Sequence, residues 1–192
     1  MSALIPEAKR WLCHEPDGTI RDMGILPSLV FPGSFNPLHR GHLMLADLAA
    51  RRFELPVSFE LSIANVDKPD LHEDEVRHRL KQFAGLHSVV VTRAATFRAK
   101  AELFPRSVFV VGADTAVRIV QPRYYGDESR MFQALDAIRE RACSFFVAGR
   151  VSSGEGFVEL GQISIPDEYR DLFVGLTESE FRLDMSSTEI RN

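Results

Sequence analysis

The sequence predicts an α/β fold in which helices cover both faces of a parallel sheet. Short apolar runs that are typical of buried strands alternate with segments whose apolar residues repeat at helical spacing. Several of these runs are continuous rather than alternating, as in parallel sheets that are covered on both faces. With 192 residues, the chain is long enough for one such domain with a sizeable core. We therefore predict a single Rossmann-like, doubly wound domain at residues 28–192, preceded by a short extension at residues 1–27.

The N-terminal extension is predicted to contain a short helix and a small hairpin. Residues Pro6 to Leu12 are compatible with a helix, and Glu15 to Thr19 carry a strong turn signal. We expect both elements to pack on the edge of the domain, with Trp11 as a packing anchor.

The most informative stretch runs from Leu29 to Leu48. An apolar strand enters a segment rich in glycine and proline, and helical spacing of apolar residues begins at Leu43. In a strand–loop–helix unit of this kind, backbone N–H groups and the helix N-terminus can face an anion. A glycine such as Gly33 lets the backbone approach that anion closely. His39 and His42 share one helix face, so two imidazoles are expected beside the anion site.

The remaining elements follow in alternation. Further strands are predicted at 56–63, 88–92, 107–111, 143–148 and 172–176, and helices at 73–84, 96–103, after 112–115 and at 129–141. A loop with a short strand is predicted at 154–161, and a helical turn at 166–172. Ligands of parallel sheets bind beyond the carboxyl ends of the strands. We therefore expect four loops to meet at one edge of the sheet, namely Gly33–His42, Asn65–Lys68, Gly112–Thr115 and Gly149–Arg150.

The bulk properties exclude several classes of protein. A net charge of −4 and a pI of about 5.9 argue against nucleic acid as a partner. The sequence has no apolar stretch of the roughly 20 residues that a membrane-spanning helix needs. Cys13 and Cys143 form no disulfide framework or metal-binding pattern, and we expect reduced thiols in a cytoplasmic protein.

Two strings resemble the signatures of the nucleotidylyltransferase superfamily. The first, G-S-F-N-P-L-H-R-G-H at residues 33–42, is called the signature loop below, and it resembles the loop that binds ATP or CTP in that superfamily. Asn36 within it resembles the nicotinamide mononucleotide adenylyltransferases in particular. The second, S-S-T-E-I-R at residues 186–191, resembles the segment that holds the ATP phosphates. Since the sequence continues for only one residue beyond it, we expect this segment to be loosely held without ligand.

The resemblance implies transfer of the adenylyl group of ATP to a mononucleotide phosphate, nicotinamide or nicotinate mononucleotide, with release of pyrophosphate. It implies catalytic roles for His39, His42 and Arg191. The ATP-binding set would be Gly33, Ser34, Phe35, His39, His42, Ser187, Thr188 and Arg191. Mg²⁺ is expected to enter with ATP, bound through phosphate oxygens and water rather than by a dedicated protein site.

The acceptor set implied by the resemblance is Asn36, Lys68, Asp114, Tyr125 and Arg150. Asp114 belongs to a G-A-D string that resembles an acceptor contact, but it is equally suited to capping the following helix. Tyr125 stands where the mononucleotide adenylyltransferases carry a tryptophan that stacks on the pyridine ring.

Two other functions stay open. One is a different nucleotidylyltransferase, with CTP or another phosphorylated acceptor, and the other is a nucleotide-binding regulatory domain without turnover. The sequence also leaves the oligomeric state open, a homo-oligomer included.

Overall fold

The structure is a computed structural model that describes residue 5 and residues 10–21, 26–66, 69–152 and 156–182. The predicted site residues Lys68, Ser187, Thr188 and Arg191 lie outside the described residues. The strands are β1 (Trp11–His14), β2 (Ile20–Arg21), β3 (Leu29–Pro32), β4 (Ser58–Ser62), β5 (Val89–Thr92), β6 (Val108–Gly112), β7 (Ser144–Ala148), β8 (Arg150–Ser152), β9 (Gly156–Val158) and β10 (Phe173–Gly175).

The main sheet is doubly wound, as predicted. Its strand order is β10-β7-β6-β3-β4-β5-β1-β2. All neighbours from β10 to β5 are parallel, whereas β1 and β2 are antiparallel additions at one edge. The chain builds outward from β3 in one direction and then returns to build in the other. The loop after β3 therefore lies at the point where the strand order reverses, which is where ligands bind in such sheets.

Helices cover both faces of this sheet. The α-helices are α1 (Arg40–Phe53), α2 (Glu73–Lys81), α3 (Phe97–Leu103), α4 (Ala113–Ile119) and α5 (Glu128–Glu140), and 3₁₀ turns occur at Pro122–Tyr124, Leu160–Gln162 and Asp167–Leu172. One core cluster packs apolar residues of α3, α4 and α5 on one face, and a second packs those of α1 and α2 on the other. Side-chain N-caps stabilise the starts of α3 and α5. Thr96 Oγ1 accepts from Ala99 N at 3.2 Å, and Asp127 Oδ1 accepts from Arg130 N at 2.8 Å.

The helix predicted at Pro6–Leu12 is wrong at its described end. Trp11 and Leu12 lie in β1, which pairs antiparallel with the whole of β5. The open edge of β5 offers backbone N–H and C=O groups, and pairing with them outweighs a weak local helical preference. The predicted turn after β1 is confirmed: Gly18 N donates to Glu15 O at 2.9 Å, with Gly18 in the left-handed region.

The other predicted elements are confirmed with shifts at their ends. The predicted final strand is β10, parallel to β7, and the predicted helical turn is the 3₁₀ segment Asp167–Leu172. Strand β8 was not predicted, and it forms a separate antiparallel pair with β9. Helix α2 ends at Lys81 rather than at Ala84, and the side chain of Gln82 turns toward the signature loop.

Candidate active site

The signature loop leaves β3 at the carboxyl edge of the sheet and leads directly into α1. Gly33 N donates to Glu60 O of the neighbouring strand at 3.0 Å, which fixes the start of the loop. Phe35 has a φ of 45° and its ring is buried beneath the loop. A Cβ on Gly33 would lie 2.6 Å from that ring. Glycine is therefore required by packing within the loop, in addition to any approach of an anion.

His39 and His42 begin α1 as a reciprocal capping pair. His39 Nδ1 accepts from Gly41 N at 3.2 Å, and His42 Nδ1 accepts from His39 N at 3.3 Å. Their rings stack at 3.8 Å between centroids, and the His42 ring meets the Phe35 ring edge-on at 5.2 Å. An imidazole whose Nδ1 accepts a hydrogen bond carries its proton on Nε2 when neutral. The geometry therefore assigns an Nε2–H donor to each histidine.

Both imidazoles are held neutral. Burial first, and the charge that a protonated His39 would place beside it second, together lower the pKa of His42 to about 4. Burial also lowers the pKa of His39 below its ordinary value. The sequence left the charge of the two rings open, and the structure favours a pair of neutral donors at pH 7.

This shift predicts a pH dependence of stability. Because the pKa of His42 is about 4 in the folded chain and 6.5 as its ordinary value, the unfolded chain binds more protons between these pH values. We expect the free energy of unfolding to rise with pH from about 4 to 6.5 and to level off above. Denaturant titrations over this range test it, and the slope should be smaller in His42→Ala. The pKa values of His39 and His14 are also lowered, so both residues contribute to the slope in the wild type and in the variant. If the slope is the same in the two proteins, His42 does not contribute to it.

Arg79 of α2 and Gln82, the residue that follows this helix, bind the backbone of the signature loop, and neither was predicted from the sequence. Arg79 Nη1 donates to Ser34 O at 3.0 Å, and Gln82 Nε2 donates to Phe35 O at 2.9 Å. Gln82 Oε1 also accepts from Leu38 N at 2.8 Å. These partners are more than 40 residues apart in sequence, so no local pattern could have indicated them.

A cavity of about 350 Å³ opens beside this loop and is called the edge cavity below. It lies within the size range of small-ligand sites. Three of the four loops predicted to meet at the sheet edge contribute to it, through Ser34, Asn65 and Thr115. Its full lining is Ser34, Asn65, Val66, Ala95, Thr96, Phe97, Thr115, Arg118, Ile119, Tyr124 and Tyr125.

Of the predicted acceptor residues that the structure describes, Tyr125 lines the edge cavity, whereas Asn36, Asp114 and Arg150 do not. Tyr125 lines the edge cavity, and its hydroxyl donates to Ile119 O at 2.9 Å, which fixes the ring. Burial raises the pKa of Tyr125 to about 12, so this phenol stays protonated.

Asp114 forms an ion pair with Arg150 and makes no cap bond, since Gly112 is the N-cap of α4. The capping alternative for Asp114 is thus not the one observed. Asn36 is part-buried in the signature loop, followed by a cis bond to Pro37.

Arg118 is a lining residue that the sequence reasoning missed but could have found. It lies on α4, three residues after Thr115, so helical spacing places the two on one face. Its guanidinium lies 5.9 Å from the centroid of the Tyr124 ring. Among the described residues that line the edge cavity, Arg118 is the one with a formal charge. A cavity of this kind favours an anionic or electron-rich aromatic ligand.

The described side chains do not form a metal centre. In the described ranges, no group of three or more His, Cys, Asp and Glu residues is arranged to bind a metal ion. The signature loop offers backbone N–H groups and imidazole N–H donors, which suit phosphate oxygens rather than a bare cation. None of the described helices is both long and apolar enough to cross a membrane.

Comparison with known families agrees with this geometry. A family model described as Cytidylyltransferase-like matches residues 30–192, which include the signature loop and the terminal S-S-T-E-I-R string. A search of curated proteins finds no match. Given a match over most of the chain and a signature loop at the reversal point of the sheet, this protein belongs to the Cytidylyltransferase-like family of the nucleotidylyltransferase superfamily.

Proposed function

We propose that the chain is an adenylyltransferase that transfers AMP from ATP to the phosphate of nicotinamide or nicotinate mononucleotide. The observation that carries the proposal is the edge cavity, in which Ser34 of the signature loop shares a wall with Asn65, Thr115 and Tyr125. A nucleotide on the signature loop and an acceptor in the cavity would therefore be neighbours, as a direct transfer between them requires. The buried thiols of Cys13 and Cys143 support a cytoplasmic setting.

The proposed chemistry needs positioning more than it needs a base. The acceptor phosphate, already an anion, attacks the α-phosphorus of ATP in line, and pyrophosphate leaves with the bonding electrons. Two mutually repelling phosphates must be held together, and charge on the transferring and leaving groups must be stabilised. His39 and His42 would donate from Nε2–H to those oxygens. Neutral donors suit this role because they keep their protons across physiological pH.

The phosphate-binding set is completed by residues outside the described ranges. Ser187, Thr188 and Arg191 would hold the β- and γ-phosphates, and Lys68 would bind the phosphate of the acceptor. Mg²⁺ would enter on the phosphate oxygens and neutralise part of their charge. Its protein contacts would be few, in agreement with the donor-rich, carboxylate-poor signature loop.

A pyrophosphate-release screen tests the proposal. ATP and CTP are each paired with a panel of phosphorylated acceptors that includes both mononucleotides, 4′-phosphopantetheine and choline phosphate. We expect release with ATP and a pyridine mononucleotide, and none from ATP alone. Pyrophosphate release with CTP, or with a non-nucleotide acceptor, would show that the proposed substrates are wrong and would identify the correct pair. Absence of release with every pair would favour a nucleotide-binding domain without turnover.

Tyr125 gives a prediction on acceptor binding. Its ring lines the edge cavity, so Tyr125→Leu should raise the KM for the acceptor by about two- to tenfold, because aromatic contacts contribute roughly 0.5–1.5 kcal/mol. Tyr125→Phe keeps the ring and should stay within about twofold of wild type, since it loses one part-buried hydrogen bond. Steady-state kinetics with varied acceptor measure both. Equal KM values for the two variants would show that the ring does not contact the acceptor.

A further inference from the structure

Helix α2 and the residue after it hold the signature loop through three hydrogen bonds to its backbone. Arg79 binds the carbonyl of Ser34, and Gln82 binds both the carbonyl of Phe35 and the N–H of Leu38. Arg79 is itself fixed, since its side chain is 10% exposed and its Nε bonds Glu75 Oε1 at 2.8 Å. The loop is therefore attached to a rigid element on one side.

Gln82 makes a combination of three hydrogen bonds that few side chains can make. Its amide oxygen accepts from Leu38 N at 2.8 Å, and its amide nitrogen donates to Phe35 O at 2.9 Å and to Arg79 O at 3.2 Å. Only a carboxamide combines an acceptor and two donors at one end in this way. The two bonds to the loop enclose Asn36 and Pro37, so the width of this turn is set by Gln82.

These bonds also orient the peptide N–H groups of the loop. In a trans peptide the C=O and N–H point in opposite directions. Arg79 draws the Ser34 carbonyl toward α2, so the N–H of Phe35 points away from α2. Gln82 does the same to the Phe35 carbonyl, and the N–H of Asn36 then points away as well. A loop that binds an anion needs its N–H groups to converge on one side.

The same contacts reach the histidine pair. Phe83, the residue after Gln82, packs edge-on against the Phe35 ring at 5.3 Å, and the Phe35 ring meets His42 at 5.2 Å. Leu38, held by Gln82, precedes His39. A shift of the Gln82 amide would therefore move both the loop N–H groups and the imidazoles.

We propose that Gln82 and Arg79 are positioning residues that orient the N–H groups of the signature loop toward the triphosphate of the nucleotide. This inference rests on the proposed function to the extent that the signature loop binds a nucleoside triphosphate. It assigns a role in nucleotide binding and transfer, and none in recognition of the acceptor.

Two substitutions at Gln82 test the proposal. Gln82→Met keeps the length of the side chain and removes both bonds, so kcat should fall by roughly ten- to a hundredfold, as for misplaced reacting groups. The Kd for Mg-ATP should rise about tenfold, while the KM for the acceptor stays within about twofold. Wild-type kcat and Kd in this variant would overturn the proposal, and so would a change confined to the acceptor KM.

Gln82→Glu adds a readout that a purely structural role would not give. A carboxylate accepts from Leu38 N but cannot donate to Phe35 O, whereas the protonated acid can do both. The ratio of kcat in Gln82→Glu to wild type should therefore rise as the pH falls from 8 to 5. The same ratio for Gln82→Met should be flat, and a flat ratio for both variants would contradict the donor role of the amide.

A control variant and a measurement of Mg-ATP binding allow the positioning role to be tested independently of the proposed reaction. Lys81→Ala removes an exposed side chain of α2 and should leave kcat and the Kd for Mg-ATP unchanged. Mg-ATP binding by calorimetry needs no acceptor, so it remains informative if no acceptor supports turnover. Tenfold weaker Mg-ATP binding in Gln82→Met would then support the positioning role even though the proposed reaction had failed.

Discussion

Replacing His42 by alanine should lower kcat by about 10²–10³-fold, the loss expected when one proposed donor to a charged transition state is removed. The neutral Nε2–H of His42 is fixed because its Nδ1 accepts from His39 N and its ring packs against Phe31 and Phe35. Such a donor needs no reorganisation when charge develops on the phosphate, so its loss falls on kcat more than on KM. Steady-state rates of pyrophosphate release measure this effect.

The fold should survive the same substitution. His42→Ala leaves His39 N without its cap bond, which corresponds to a cost of about 1 kcal/mol in the free energy of unfolding. His78→Ala is the matched control, because His78 is an exposed histidine on α2 with no part in the site. It should leave both rate and stability at wild-type values. Near wild-type turnover in His42→Ala would show that the imidazole does not act in the transfer.

Replacing Lys100 by methionine should lower the free energy of unfolding by about 3–5 kcal/mol. Glu60 is fully buried, and Lys100 Nζ donates to both of its carboxylate oxygens at 2.7 and 2.8 Å. Thr92 Oγ1 gives Glu60 a further donor at 2.5 Å, and Lys100 Nζ also binds Ala94 O at 2.8 Å. Removal of the cation would leave a carboxylate in the protein interior with Thr92 as its one side-chain donor among the described residues.

A double variant separates the cost of an unpaired buried charge from the cost of changed packing. Glu60→Gln together with Lys100→Met removes both charges, and we expect it to recover most of the lost stability. Arg98→Ala is the control on the same helix, since its exposed pair with Glu102 at 3.6 Å should contribute less than about 1 kcal/mol. Urea denaturation measures all four proteins. Equal losses in Arg98→Ala and Lys100→Met would contradict the importance of burial.

The Glu60–Lys100 pair also connects stability to the site. Lys100 and Ser62 both bind the carbonyl of Ala94, and the next residues, Ala95 and Thr96, line the edge cavity. We therefore expect Lys100→Met to raise the KM for the acceptor as well as to lower stability.

The parallel sheet could be predicted because each strand is a short apolar run, a pattern that depends only on residues close together in the sequence. Phe59 and Leu61 are buried, as expected for apolar residues of a strand, and Glu60 between them is buried too, which no sequence pattern indicated. In a sheet that is covered on both faces, the alternate positions of a strand are also interior. The partner that makes this tolerable, Lys100, lies 40 residues away on a helix, and such pairings have no local signature.

The candidate site also has features that depend on nearby residues and features that depend on distant ones. The histidine pair and the glycine of the signature loop could be predicted, since each depends on neighbours within a few residues. Strand β1 was missed at Trp11 and Leu12 because its pairing depends on the open edge of β5. Gln82 and Arg79 were missed because their partners are 44 to 47 residues away. Local geometry is thus readable from sequence, whereas the contacts that hold it in place require the fold.

In the proposed function, His39 and His42 present neutral Nε2–H donors to the triphosphate of a nucleotide. Long-range ¹H–¹⁵N NMR of the histidine side chains reports the tautomer of each ring and its response to Mg-ATP, with His78 as an internal reference. We expect both rings to carry the proton on Nε2 at pH 7, and Mg-ATP to shift those two Nε2 resonances while His78 stays unchanged. Protons on Nδ1, or resonances that do not respond to Mg-ATP, would contradict it.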